Sequence, residues 1–114
     1  MSQPESTAHD VLPEWVDSSL IKGMLRGIER ESLRMQSNGF LSQEPHPHAL
    51  GSALTHPHIT TDYSEALMEF ITPPKDSIRG ALDYLMDIHA IVHRKLEDEE
   101  KLWPMSMPCM LDSS

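Results

Sequence analysis

A single cysteine, Cys109, stands in these 114 residues, which excludes an internal disulfide and any thiolate metal cluster. Basic residues are also short: nine Lys and Arg face eighteen Asp and Glu, for a net charge of −9. A binder of duplexes or other polyanions needs basic side chains to displace counterions, and no Lys/Arg stripe is present, so nucleic acid is excluded as a partner. A polyphosphate could be handled only if metal cations stood between it and the carboxylates. No apolar run approaches the roughly 18 consecutive residues of a membrane span. The start, Met1-Ser2-Gln3-Pro4-Glu5-Ser6, has neither a basic opening nor an apolar stretch, so no signal peptide is read there. A reducing cytoplasmic setting, with no membrane and no obligate protein partner, is the expectation. Aromatic residues are few, at two Phe, two Tyr and two Trp.

What is present is apolar material for one modest domain, 39% of the chain, with eight methionines carrying an unusual share of it. Methionine fills irregular gaps and specifies shape weakly. Nine prolines further interrupt the chain.

Residues 1–9 are polar. From Asp10 to Leu25 apolar positions recur at helical spacing, with Pro13 suited to a first turn and Asp17 or Ser18 suited to cap a second short helix. From Leu25 to Met35 the pattern is ambiguous. Helical periodicity runs through Ile28, then puts Glu31 and Ser32 where apolar residues should recur; as a strand, Glu29, Glu31 and Leu33 share a face. Periodicity by itself slightly favours the helix. Ser37-Asn38-Gly39 signals a turn. Residues 42–58 read as loop, and Ile59-Thr60-Thr61 and Ala66–Thr72 as short extended segments, the second ended by Pro73-Pro74. A long helix follows, capped by Asp76 or Ser77. Ile78, Leu82, Leu85, His89, Val92 and Leu96 form its apolar seam to about Glu99, and Trp103-Pro104 closes it.

Few residues offer chemistry. Glu29 and Glu31, one residue apart, project together only on a strand, where each raises the other's cost of ionisation. A hard divalent cation with oxygen preference would remove that cost, but an E-x-E pair is also an ordinary solvated face. Glu69 interrupts the apolar run Leu67-Met68-Glu69-Phe70-Ile71, so it either faces solvent on an edge strand or is held for a purpose. The pairs His46/His48 and His56/His58 lie among prolines with no cysteine nearby, and read as loop histidines rather than zinc ligands. His89 reads as a core-edge residue. Cys109 has no base at short range to form its thiolate and reads as inert.

The run Arg26-Gly27-Ile28-Glu29-Arg30-Glu31-Ser32-Leu33-Arg34 resembles an RG-[LI]-E-R-E-[TS]-L-R block of the bacterial glutamate–cysteine ligases. His46-Pro47 with Ala49–His56, then Ile59–Asp62, Glu65–Thr72 and Trp103-Pro104-Met105-Ser106-Met107-Pro108-Cys109 are similar to further blocks of that family, in order and with spacing intact. The resemblance covers about Ser19 to Cys109. It implies an α+β fold: part of an antiparallel sheet of the glutamine-synthetase-like active-site type, backed by a long helix. A strand over about 27–35 then replaces the helical alternative. Residues 1–18 become a lead-in, 19–109 the N-terminal part of a catalytic domain, and 110–114 a truncated tail.

The activity implied is the first step of glutathione biosynthesis. ATP phosphorylates the γ-carboxylate of L-glutamate, and the amine of L-cysteine displaces phosphate from the γ-glutamyl phosphate. Magnesium is the implied cofactor, with Glu29, Glu31, Asp62 and Glu69 as its implied ligands; no catalytic residue is named, nor any that contacts the nucleotide. His58 departs from the family, standing where members can carry an aromatic residue. Family members are several times longer, so an incomplete and inactive fragment is expected. Two alternatives stay open: a non-catalytic acidic module that binds metal or a partner, and a related carboxylate–amine ligase with another acceptor.

Overall fold

The computed structural model describes residues 13, 15–52, 56–96 and 99–112. The part of the expected first helix at residues 10–12 and 14 lies outside them. Asp17 caps α1 (Ser18–Ile21), its carboxylate accepting from the Ser19 amide at 2.9 Å. The helix stops at Ile21, and two residues on Gly23 takes a φ of +84°, a left-handed conformation open to glycine without strain. Met24 and Leu25, expected on the helical repeat, instead lie outside the helix and are exposed.

Beyond them Arg26 and Lys75 exchange backbone hydrogen bonds of 2.8 and 2.9 Å, and the chain enters β1 (Glu29–Gln36). The helical alternative for this stretch is therefore overturned. Alternation explains why: Ser32 and Arg34 are buried on one face, while Glu29 and Glu31 point from the other into solvent. The Ser37-Asn38-Gly39 turn forms as its residues require. Gly39 takes a φ of +88°, and the Asn38 side chain accepts from the Phe40 amide at 3.0 Å. The 42–58 loop contains one 3₁₀ turn, His48–Leu50, which buries Leu50.

β2 (Ile59–Asp62) and β3 (Ser64–Ile71) make a tight hairpin through Tyr63, a non-glycine residue held at φ +35°. The carboxylate of Asp62 accepts from the Tyr63 amide at 2.8 Å. With β4 (Glu100–Leu102) they form one antiparallel sheet in the order β2-β3-β1-β4. The fold is thus α+β, an antiparallel sheet backed by a helix. β4 was not anticipated. Three residues, Glu100-Lys101-Leu102, are too few to show a period, and the expected helix runs up to the residue before it. Met110 also pairs, bridging to Phe40, with its carbonyl accepting from the Leu41 amide at 2.7 Å. The segment from 110 is therefore tied to the β1 turn at its first residue.

α2 (Ile78–Lys95) starts where expected, the Ser77 hydroxyl accepting from the Gly80 amide at 3.0 Å. His93, Arg94 and Lys95 fill its last turn, opposite in sign to the helix terminus. It ends at Lys95 rather than near Glu99. The expected seam also needs correcting. Ile78 and Leu82 are 64% and 45% exposed, while Ala81, Ile88 and Val92 are buried. The buried stripe is rotated by about one residue from the apolar stripe read in sequence, because the sheet beneath sets which face turns inward. Val92 and Leu96 hold their expected places in the core, with Ile59, Met68, Phe70, Ile88, Leu50 and Leu102.

Two charged side chains sit at the bottom of this layer. Arg34 is fully buried and forms an ion pair with Glu100 of β4. Breaking such a pair by removing one partner strands a buried charge and costs about 3–5 kcal/mol.

Candidate functional site

The two faces of the sheet differ. α2 covers the one carrying Ser32, Arg34, Met68 and Phe70. The other has no helix over it among the described residues. Its register brings the predicted acids together: Glu31 lies directly opposite Glu69, Glu29 opposite Ile71, and Thr60 of β2 on the other side of Glu69. Cα atoms so paired stand about 4.5–5.5 Å apart, within reach of one cation for both carboxylates. Asp62 follows a bulge between Thr61 and Asp62, at the end of β2.

Electrostatics reports the same proximity. Partial burial, and then the charges of Asp62, Glu29 and Glu31, raise the Glu69 carboxyl above its ordinary range. The two ion pairs among the described residues, Arg34–Glu100 and Arg79–Asp83, neutralise none of the four. Four oxygen-donor side chains that repel one another on an open face have the chemistry for a hard divalent cation. They are not a preformed cage: among the described residues no three His, Cys, Asp or Glu side chains converge as metal ligands.

The strand bearing Glu29 and Glu31 is anchored at both ends. At one, the Thr72 hydroxyl accepts from the Ile28 amide at 2.8 Å, and the Thr72 amide donates to the Ile28 carbonyl at 2.9 Å. At the other, the buried Arg34 guanidinium donates to Glu100, to the Glu44 carbonyl at 2.7 Å and to the Glu65 carbonyl at 3.1 Å. Ser42 donates to the same Glu100 oxygen. Sequence reasoning did not single out Arg34 or Thr72. For Arg34 a signal existed: once β1 is a strand, it falls on the face opposite Glu29 and Glu31, the one that must be covered.

The histidine pairs turn to backbone work. His56 Nδ1 accepts from the His58 and Ile59 amides at 3.1 and 3.0 Å, and His58 Nδ1 lies 2.9 Å from the Ile71 carbonyl oxygen. The His46 amide donates to Glu65, and burial followed by the charge of Arg34 lowers its ring pKa. His89 packs its edge against Phe70, with ring centroids 4.9 Å apart, as a core-edge residue should. Cys109 is buried. A cleft of about 780 Å³ opens at the β1–β4 end of the sheet, between residues 44–49 and Glu99-Glu100. None of the four acids lines it, so it is not the place where they act.

The structure is of the α+β class, a sheet backed by a helix on one face and bearing carboxylates on the other. Comparison with known proteins makes this specific. The family model for glutamate–cysteine ligase matches residues 10–114, and the chain belongs to that family. It is 57% identical over 102 residues to the glutamate–cysteine ligase of Sodalis glossinidius, covering 88% of this chain and 19% of that protein. For the enzyme of Alcanivorax borkumensis the identity is 54% over 94 residues, covering 82% and 18%. A crystal structure of the Francisella tularensis glutamate–cysteine ligase in complex with AMP superposes with a TM-score of 0.77 at 41% identity, covering 79% of this chain and 18% of that one. A bifunctional glutathione synthetase from Pasteurella multocida gives 0.75 at 38%, covering 79% and 12%. The chain therefore spans about a fifth of the length of the curated relatives it matches.

Proposed function

We propose that this chain forms part of a glutamate–cysteine ligase active site, with residues 19–109 as the N-terminal portion of the catalytic domain. The reaction is ATP-dependent ligation of the γ-carboxylate of L-glutamate to the amine of L-cysteine, through γ-glutamyl phosphate, in a reducing cytoplasm. The observation that carries this reading is the open sheet face on which Glu31 faces Glu69, beside Glu29 and Asp62, in a member of this family. Magnesium bound there would neutralise charge on the phosphates of ATP, which is most of what phosphoryl transfer asks of a protein. Glu29, Glu31, Asp62 and Glu69 would supply its oxygen ligands from this chain. The strand spacing keeps Glu29 and Glu31 on one side, and β3 holds Glu69 against them. Because these acids do not close a cage among the described residues, the remaining ligands must come from elsewhere.

The test is a chimera in which residues 19–109 replace the matching segment of the Sodalis glossinidius enzyme. It should form γ-glutamylcysteine from ATP, glutamate and cysteine. Glu31→Gln in the chimera should lower kcat at least about a hundredfold without lowering thermal stability, since even residues behind a metal ligand affect activity by 10–100-fold. An active Glu31→Gln chimera would remove that residue from the site, and an inactive parent chimera would overturn the reading. The 114-residue chain alone should release no phosphate in the same assay.

A further inference from the structure

Arg34 is a costly residue to bury. A cation taken from water must recover its hydration through a partner and further hydrogen bonds, and an apolar side chain of similar size often serves stability as well. Here the guanidinium is fully enclosed beneath the sheet and bonds to three separate segments. It pairs with Glu100 on β4, whose carboxylate also accepts from Ser42, and donates to the carbonyls of Glu44 in the loop and Glu65 in β3. The Ser42 amide donates back to the Arg34 carbonyl at 2.9 Å.

The location of these bonds matters more than their number. The β1–β3 ladder runs from Glu29↔Ile71 to Leu33↔Leu67 and stops there. Arg34 is the next residue of β1, and Glu65 lies two residues before Leu67, so the guanidinium bonds to β3 just past the last ladder pair. Thr72 closes the opposite end through Ile28. Between these two clamps lie Glu29, Glu31 and Glu69. A slip of one residue in this register would send Glu69 to the covered face, since side chains alternate with a period of two.

We propose that Arg34 is a positioning residue for the cation-binding acids: from the covered face of β1 it locks the β1–β3 register that sets Glu31 against Glu69. This rests on the ligase reading of the acid face. A merely structural Arg34 would support stability without affecting how well the folded acids bind a cation. A positioning Arg34 affects cation affinity in protein that is still folded.

The experiment titrates Mn²⁺ into the chimera carrying residues 19–109 by electron paramagnetic resonance, well below the thermal midpoint, with far-UV circular dichroism as the check on folding. The parent chimera should bind Mn²⁺, and Glu31→Gln should weaken the binding at least about tenfold. The double variant Arg34→Met/Glu100→Leu removes both buried charges together, so neither is stranded, and should fold with Mn²⁺ affinity lowered about tenfold or more, the range seen for residues behind metal ligands. Arg34→Lys keeps the charge but not the fork that reaches several acceptors, and should weaken binding in the same direction. It decides the matter if the double variant does not fold. Parent affinity in a folded variant overturns the positioning role and leaves the ligase reading standing. A folded parent chimera that binds no Mn²⁺ overturns both.

Discussion

At the scale of single residues, the acid face trades stability for binding. Glu31 and Glu69 are like charges directly across a ladder, an arrangement that destabilises a sheet by about 0.2–1 kcal/mol relative to neutral pairs. Glu31→Gln should therefore raise the thermal midpoint of the metal-free chimera slightly while weakening cation binding, and calorimetry with and without Mg²⁺ should show the two effects in opposite directions. The half-buried histidines give a separate signature in pH. Burial, then Arg30 and His93, hold His89 below its ordinary value of 6.5, and burial and Arg34 do the same for His46. A group with a depressed histidine pKa binds more protons unfolded than folded, so stability falls as pH drops below 6.5 toward the folded value. The midpoint should decline between pH 7.5 and 5.5, and His89→Gln should flatten that decline. An unchanged slope in the variant would remove His89 as a source.

At the scale of elements, α2 separates apolar pattern from burial. Ile88 is 4% exposed and Ile78 is 64% exposed, though both are isoleucines of one helix. Truncating Ile88 to Ala should cost about 2–5 kcal/mol, whereas Ile78→Ala should cost a fraction of that, since little area leaves water there. Denaturant midpoints of the two variants measure the difference; similar losses would mean that the expected seam through Ile78 is the packed one after all. The start of α2 was legible, because a serine hydroxyl that caps an amide three residues on is a local device. So was the Asp17 cap of α1. The stripe that α2 buries was not, because it depends on which face of the sheet lies below. β1 shows the limit from the other side. Its local pattern leaned to a helix, and pairing with β3 and β4 on both flanks decides the strand.

At the scale of the whole molecule, the described residues cover the sheet on one face only, and the outer face of α2 leaves Ile78, Leu82 and Met86 exposed in steps of four. With Met24, Leu25, Met105 and Met107 also in solvent, the apolar surface is larger than a lone small domain usually shows. The chain at micromolar concentration should self-associate, with sedimentation coefficients that rise with concentration and little effect of salt. Replacing both Leu82 and Met86 by Lys should reduce it. No helix among the described residues is long and apolar enough to cross a membrane.

The sequence by itself determined the chemistry available: an acidic chain without a basic stripe, one cysteine, and carboxylates at Glu29, Glu31, Asp62 and Glu69. It determined the local devices too, since caps, the Asn38-Gly39 turn and the Pro73-Pro74 stop depend on neighbours within a few residues. Only the tertiary structure decided that Glu31 faces Glu69, that Arg34 and Thr72 clamp the strand between them, and that Glu100 belongs to a fourth strand. Those facts join residues that lie 38, 44 and 66 positions apart or belong to a strand of three residues. No local propensity encodes such pairings, because they form only when separate segments share one buried face and must satisfy each other's hydrogen bonds.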